Sequence, residues 1–414
     1  MTVALLKYYE RNQQKSQTKF MKTGYSIRTW RMRLVCPEPI WLDRTEEYFQ
    51  NVVEFYYHLL RQHEELWNSS LFDIQRSLEL LTLTGRDGRQ PTNPLPMGKV
   101  PVYLRRAAIN KASATVKSTQ ELQSGFPEKL EAKVTFFKGM YSDLTDRSIC
   151  LKLWNGEKWI WTDCNLKGRP FPQDGQLMSP TLVKEGRRYL LNIPVKQENS
   201  DARTAKERMA EGTNLCSVRF TNTDTFAVCC ILDEQGNQLA VHTCRGGDAY
   251  RHRCKLLATR IQKSRPNTVG DNSPQPNRKY YMHLKNLSEH YAHQVSREIL
   301  NFCKENQAGI IVLPDYDQNF TRMAMVKSGN FSPLHLSSKI RTNLQYKAWA
   351  EGILVLETRT DGLKDKCAIC GGRVRRKGNE FLCENGHQGN RFLNDARNLG
   401  RKCQDSFFRV SRTK

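Results

Sequence analysis

The sequence predicts a multidomain α+β protein. In it, an N-terminal β-barrel with an inserted helical lobe precedes a mixed α/β domain that carries a small insertion of its own. Polar and apolar side chains alternate over much of residues 24–40 and 125–200, which is typical of strands half-buried in a barrel. Apolar residues recur at helical spacing within residues 41–124. After residue 201, apolar strands alternate with helices, as in an α/β sheet covered by helices.

The charge of the chain indicates a polyanionic partner. The formal net charge of the 414 residues is +23, and lysine and arginine recur in every segment rather than in one tail. An excess of this size repels itself unless a polyanion neutralises it, so nucleic acid is the expected partner. Hydrophobic residues make up 38% of the chain, which excludes a globally disordered protein.

The distribution of apolar residues and cysteines predicts the cellular location of the protein. No apolar run reaches the ~18 residues that a transmembrane helix needs, so no membrane partner is expected. The first seven residues lack the apolar core of a signal peptide. The 13 cysteines are too dilute for a disulfide scaffold, and most, such as Cys229 and Cys230, lie in apolar strands as reduced core residues. We therefore expect a cytoplasmic protein.

The N-terminal third combines an arm, a strand and two helices. Residues 1–23 are polar and basic and predict a flexible basic arm, and Tyr25–Leu34 alternates as a strand does. Asp43 and Glu46 form a capping box that predicts the start of a helix of about six turns. A second helix is predicted over Leu104–Gln123. Four basic residues on or beside one face of this second helix are candidates for nucleic-acid binding: Arg105, Arg106, Lys111 and Lys117.

The rest of the barrel is predicted from short strands of period two. These are Ala132–Phe137, Ser148–Leu153, Glu157–Trp161 and Tyr189–Val195. The tryptophans Trp154, Trp159 and Trp161 are interpreted as core aromatics, with a base-stacking surface as the alternative. Residues 200–211 are interpreted as a charged linker to the next domain.

The α/β domain is predicted from six elements and one insertion. The strands are Asn214–Asn222, Phe226–Leu232, Ile310–Leu313 and Ile353–Leu356, and the helices are Lys279–Asn306 and Ser337–Glu351. Residues 264–277 are rich in Pro, Asn and Ser and predict a flexible insertion.

A cysteine cluster predicts a structural zinc site in residues 363–387. Cys367 and Cys370 form a Cys-x-x-Cys knuckle followed by two glycines, which gives the turn that lets both thiolates face one metal. Cys383 and His387 form a second, weaker knuckle, so we predict zinc held by three cysteines and one histidine. A metal-free hairpin is the alternative. Basic residues in and after this segment are candidates for contact with a phosphate backbone: Lys364, Lys366, Arg373, Arg375, Arg376, Lys377 and Arg391.

Three segments around this cluster carry a family resemblance. They are Tyr291–Ile299 leading into Ile311–Leu313, Leu344–Ala348 with Gly352–Ile353, and the cysteine cluster followed by Asn394–Leu399. Together they resemble the RuvC-like nuclease domain, of RNase H fold, in transposon-encoded TnpB proteins and miniature type V CRISPR effectors. The resemblance implies a RuvC-like domain at residues 201–362 and 388–414 with an inserted zinc ribbon. It further implies a wedge-like barrel and a helical recognition lobe.

The resemblance also exposes three departures. The family holds two Mg²⁺ ions with an Asp, a Glu and an Asp, and the matching positions here are Asn214, Pro314 and Phe392. Mg²⁺ needs several negatively charged oxygen ligands, so no Mg²⁺ is expected at these degenerate positions and no residue is predicted to be catalytic. The alternative is that nearby acids take over the role: Asp224, Asp315, Asp317 or Asp395.

The function that the resemblance implies is RNA-guided DNA binding without nuclease activity. A guide RNA would pair with one strand of a double-stranded DNA target, and the protein would act by occupancy, repressing transcription or recruiting a partner. That partner would be a transcription or transposition protein. The alternatives are an active nuclease with relocated carboxylates and a guide-free zinc-ribbon protein that binds nucleic acid through charge and shape.

Overall fold

The computed structural model describes residues 24–85, 87–172, 174–264, 277–316 and 331–411. The chain divides into two compact units, Ile27–Gln197 and a second unit that combines Met1–Ser26 with Glu198–Lys414. The predicted arm at residues 1–23 lies outside the described residues, as does nearly all of the predicted insertion at residues 264–277.

The first unit is built on an antiparallel sheet of seven strands. They are β1 (Tyr25–Val35), β2 (Tyr141–Ser142), β3 (Ser148–Trp154), β4 (Trp159–Lys167), β5 (Gln176–Leu177), β6 (Thr181–Glu185) and β7 (Arg188–Glu198). The order is β2-β3-β4-β1-β7-β5, with β6 also beside β7. This is a half-barrel sheet, and its closure into a barrel stays a prediction. The predicted strand Ala132–Phe137 is wrong, because this segment makes only an isolated bridge, from Thr135 to Thr181.

The tryptophans of this sheet have different environments. Trp154 and Trp159 pack on Tyr48, with ring centroids 5.0 and 5.2 Å from it. Trp161 is exposed, and the ammonium of Lys152 lies 5.7 Å from its ring centroid. Trp159 also packs against the buried core of the unit. The core interpretation is therefore supported for Trp159, whereas Trp154 is half-buried against Tyr48 and Trp161 lies at the surface.

Three helices complete the first unit: α1 (Pro39–Gln62), α2 (Leu71–Thr82) and α3 (Val102–Glu121). The predicted capping box is wrong, because α1 begins earlier, with Pro39 in its first turn, where the fixed φ of proline favours helix. Asp43 instead pairs with Lys184. Helix α2 was not predicted, although Ser70 caps it by accepting a hydrogen bond from the Asp73 N–H.

The second unit contains a mixed five-stranded sheet. Its strands are β8 (Leu215–Phe220), β9 (Thr225–Leu232), β10 (Gln238–Arg245), β11 (Ile310–Asp315) and β12 (Leu354–Arg359), and its helices are α4 (Ala205–Ala210), α5 (Gly247–Lys263), α6 (Arg278–Glu305), α7 (Ser337–Trp349) and α8 (Arg391–Ser411). The order is β10-β9-β8-β11-β12, with β8, β11 and β12 parallel. One face packs on α6 and α7 and the other on α8. The predicted α/β layout is confirmed in this unit.

Some elements of the second unit were not predicted from the sequence. β10 and α5 were not predicted. The predicted linker at residues 200–211 contains α4, which begins with a capping box between Thr204 and Glu207. The guanidinium of Arg208 on this helix is fully buried and donates to the carbonyl oxygens of Gly309 and Gly352. A residue that reads as charged linker is therefore part of the core.

A small third sheet lies between β12 and α8. Its strands are β13 (Val374–Lys377), β14 (Glu380–Cys383) and β15 (Gln388–Asn390), paired antiparallel in that order. It coincides with the predicted zinc ribbon. Within the described residues, no helix is long and apolar enough to span a membrane.

Candidate functional site

The small sheet and its loops bring four residues of metal-ligating types together. The donor atoms of Cys367, Cys370, Cys383 and His387 all lie within 4.8 Å of one another. The Sγ atoms of Cys370 and Cys383 are 3.4 Å apart, close to the spacing of ~3.5 Å that neighbouring ligands take around tetrahedral Zn²⁺. The buried Nδ1 of His387 has no hydrogen-bond partner among the described residues, so its lone pair is available to a metal. The donor set therefore fits one metal ion.

The loops around these residues favour the thiolate of Cys370. Gly371, at φ +76°, turns the chain after the first knuckle, and its N–H donates to the carbonyl of Cys367. The amide of Asn385 donates to the Sγ of Cys370, and this bond, followed by one from the Gly372 N–H, lowers the pKa of Cys370 to about 6. Both contacts favour the anionic sulfur that binds metal.

Helix α8 fixes the position of the ribbon. The side-chain Oδ1 of Asn394 accepts from the Ala368 N–H at 2.7 Å, while its Nδ2 donates to the Lys366 carbonyl at 2.8 Å. Asn398, one turn later, donates to the same carbonyl. The asparagines of the Asn394–Leu399 segment therefore act as anchors for the metal-binding loop.

The three degenerate positions do not meet at one place. The parallel register pairs Leu215 with Ile310, so Asn214 lies beside Gly309, at the start of both strands. Pro314 lies five residues further along β11, about 16 Å away along the strand direction. The side chain of Asn214 donates to the carbonyl of Asn306 instead. The assignment of Asn214 to a common metal site is thus corrected by the strand register.

Arg219, rather than Asn214, lies beside Pro314. Continuing the register from the pair Ser217–Val312 puts Arg219 beside Pro314 at the carboxyl ends of β8 and β11. The two residues line a small depression that also reaches α8. Its lining residues are Arg219, Pro314, Thr360, Leu363, Lys364, Asp395 and Leu399. Sequence reasoning missed Arg219; counting residues back from the turn at Asn222–Thr225 is the signal that could have found it.

The depression is occupied by an ion-pair network. The carboxylate of Asp395 is 2% exposed and pairs with Arg219, whose Nε lies 3.2 Å from Oδ2, and with Arg376 of the ribbon. Burial, and after it the charge of Arg219, lowers the pKa of Lys364. Among the described residues that line the depression, Asp395 alone carries a carboxylate. The local charge is therefore positive, which opposes binding of a divalent cation.

Phe392 and two further acids, Glu357 and Asp315, lie in three different environments. Phe392 is buried one turn before Asp395, and the guanidinium of Arg391 lies 4.6 Å from its ring centroid. Glu357 on β12 pairs with Arg341 at 3.3 Å, and burial raises the pKa of this carboxyl. Asp315, at the end of β11, is exposed.

The predicted nucleic-acid contacts fall into two groups in the ribbon. Arg373, Arg375 and Lys377 are exposed at alternate positions of β13 and its flank, so they share one face. Arg376 points to the opposite face, where it binds Asp395. The exposed set stays a prediction for backbone contact, whereas Arg376 binds Asp395 of the depression and Arg391 lies within electrostatic reach of that carboxylate.

On α3 the basic residues are also divided. Arg105 is buried and binds Glu79, with Nη2 3.0 Å from Oε1, so its guanidinium serves the packing of the lobe rather than the surface. Arg106 is exposed but shares Glu79. Lys117 donates to the carbonyl of Ser69, and Lys111 is exposed. Of these four, Arg106, Lys111 and Lys117 keep the predicted role as a proposal.

Comparison with known proteins identifies the fold. The model of the Aq_aa04 family matches residues 26–155, and no curated protein sequence matches the chain. The cryo-EM structure of a Cas12f1–sgRNA–target DNA complex is similar over 91% of this chain and 99% of that one, with 12% identity and a TM-score of 0.54. The mini-RNA-guided endonuclease CRISPR-Cas_phi3 is similar over 95% of this chain and 94% of that one, with 10% identity and a TM-score of 0.50.

At such identities the likeness shows the fold alone. The chain therefore has the fold of the miniature type V CRISPR effectors, and the resemblance seen in the sequence is confirmed at that level.

Proposed function

We propose that this protein is an RNA-guided DNA-binding protein that does not cut its target. A guide RNA would pair with one strand of a double-stranded DNA, and the protein would recognise the heteroduplex through its backbone and shape. The bound complex would act by occupancy, either blocking transcription or presenting a partner such as a transcription or transposition protein. The ribbon cluster would hold Zn²⁺ in a structural role.

The observation that best supports the absence of nuclease activity is the pairing of Arg219 and Arg376 with Asp395. A two-metal nuclease needs several carboxylates in one cleft to hold its cations and position the attacking water. Here the residue beside Pro314 is an arginine, and the buried acid is already neutralised by two guanidinium groups. A Mg²⁺ ion would have to displace both arginines from a site of positive local charge.

Two facts support guided nucleic-acid binding. The net charge of +23 suits a protein that covers a polyanion over a large surface. The Cas12f1 structure of the same fold is a complex with sgRNA and target DNA. Because function does not follow from fold by itself, the charge and the altered cleft are the evidence specific to this chain.

The test begins with the RNA that the protein carries. The full chain is isolated from its native host, and the bound RNA is sequenced. We expect one defined RNA species with a variable segment that serves as guide. Random cellular fragments would contradict the proposal. Protein freed of RNA that still footprints duplex DNA tightly would instead support the guide-free alternative.

The second step joins binding and cleavage in one experiment. Duplexes that match the guide are incubated with the complex in Mg²⁺ or Mn²⁺, and mobility shift and strand integrity are read from the same sample. We expect guide-dependent shifts and intact strands. Guide-dependent cleavage that is lost on Asp315→Ala or Asp395→Ala would establish the active-nuclease alternative.

A further inference from the structure

A second group of metal-ligand side chains lies at the edge of the five-stranded sheet, away from the ribbon and from the Arg219 depression. His242 and Cys244 are two residues apart on the edge strand β10, so both point to the same face. Helix α6 covers that face and contributes Glu298. The three donor atoms lie within 4.8 Å of one another. Elements distant in sequence thus bring an imidazole, a thiol and a carboxylate together.

The geometry of the three groups suits a metal with nitrogen, sulfur and oxygen ligands. His242 Nε2 is 2.6 Å from Glu298 Oε1, and the Cys244 thiol is fully buried beneath them. Ligands of tetrahedral Zn²⁺ sit ~3.5 Å apart, so small side-chain rotations of about 1 Å would bring these atoms to coordination distance. The side chains of His242 and Glu298 are 35% and 32% exposed, which leaves a path for an ion from solvent.

The surroundings orient these groups. The ring of Phe302, one turn after Glu298 on α6, contacts the imidazole of His242 at a tilt of 34°, with ring centroids 5.3 Å apart, and limits its rotation. Binding of a cation would displace the thiol proton of Cys244 to solvent.

We propose that His242, Cys244 and Glu298 form a second metal site, selective for Zn²⁺ or a similar borderline-soft divalent cation, with water at the fourth position. Three protein ligands of these types and one open position are a coordination that zinc accepts. The site is independent of the proposed function, because no ligand belongs to the depression or to the ribbon. A simple His242–Glu298 ion pair over an unrelated thiol is the competing explanation.

The test is the metal content of purified full-length variants. Zinc per chain is measured by mass spectrometry after desalting, and Co²⁺ is then substituted to report sulfur ligation by its near-ultraviolet charge-transfer band. Cys244→Ser and Glu298→Gln are each expected to lower the zinc content by one ion per chain, and Cys244→Ser to lose part of that band. The ribbon ion, held by other residues, should be retained in both variants.

Matched controls separate ligand loss from damage to the fold. Cys230→Ser makes the same change in an equally buried thiol of the neighbouring strand β9 that lies on the other face of the sheet, and Glu289→Gln changes another carboxylate of α6. Both should keep the wild-type zinc content. Wild-type zinc content in Glu298→Gln would overturn the proposal. If both serine variants misfold, the comparison of Glu298→Gln with Glu289→Gln decides.

Discussion

Arg219 on β8 and Asp395 on α8 form a buried ion pair, with Nε 3.2 Å from Oδ2, across 176 positions of sequence. Arg376 of the ribbon binds the other carboxylate oxygen. The pair therefore joins the central sheet, the last helix and the ribbon that contains the candidate metal ligands. One carboxylate that binds two arginines gives this place a structural role.

Removing that carboxylate should destabilise the domain. Asp395→Asn leaves two partly buried guanidinium groups without a counter-charge, and we expect a loss of about 3 kcal/mol in the free energy of unfolding. Urea unfolding monitored by circular dichroism measures it. Asp405→Asn, an exposed position on the same helix, is the control and should change stability by less than about 0.5 kcal/mol. Equal losses of stability in the two variants would show that the ion-pair network does not stabilise the domain.

Restoring acids at the depression should create a divalent-cation site. In Arg219→Asp combined with Pro314→Glu, two new carboxylates would face Asp395, and we expect Mn²⁺ binding that the wild type lacks, measured by electron paramagnetic resonance titration. The control is Asn214→Asp combined with Pro314→Glu, whose new acids lie about 16 Å apart along the strands. Mn²⁺ binding by the control variant alone would show that position 214, rather than position 219, belongs to the cation site.

Lys347 should make stability rise with pH. Burial, and after it the charge of Arg297, lowers the pKa of Lys347 to about 8. Below pH 8 both folded and unfolded states are protonated and the full cost of the buried charge is present. Between pH 8 and about 10.4 the unfolded state binds more protons, so stability rises through this window.

Two substitutions check this effect by denaturant unfolding between pH 7.5 and 10. In Lys347→Met the charge is absent, so the variant should lose the part of the pH dependence that Lys347 supplies. Lys347→Arg keeps its charge over the whole pH range, so this variant should also lose that pH dependence. It should remain less stable than the wild type at pH 10. A wild-type slope in Lys347→Met would refute the assignment.

Surface and buried arginines should differ in their effect on binding. Arg375→Ala, on the exposed face of β13, should weaken nucleic-acid binding for all sequences and lower the slope of log affinity against log salt by about 1. Arg105→Ala should leave that slope unchanged and lower the unfolding midpoint, because it strips Glu79 of its buried partner. Fluorescence anisotropy across salt concentrations and thermal melts separate the two behaviours.

Metal removal should loosen the ribbon. Chelation, or His387→Ala, is expected to raise amide exchange across residues 366–390, because the short strands there bury little apolar surface of their own. Glu384→Ala, at an exposed non-ligand position between Cys383 and His387, is the control for the substitution. Unchanged exchange after complete zinc removal would favour the metal-free hairpin.

Much of the layout could be predicted because local patterns encode it. The period of the apolar residues located β3, α6 and α7 within a few residues, and Cys367-x-x-Cys370 located the metal loop. Helix α2 and strand β10 were missed, because the short α2 shows only two buried apolar positions and three apolar residues of β10, at positions 239–241, are consecutive rather than alternating. Such elements are stabilised by contacts with distant segments, which local patterns do not record.

The sequence by itself determined the mixed α/β class, the basic character and the four candidate metal ligands of the ribbon, since periodicity, charge and short-range spacing are properties of neighbouring residues. Only the tertiary structure decided that Arg219 rather than Asn214 lies beside Pro314, that Arg105 is buried, and that His242 and Cys244 meet Glu298. The physical reason is that strand register and the packing of helices on a sheet set these distances. Both depend on the whole core, in which a shift of one residue reverses the face of every side chain on a strand.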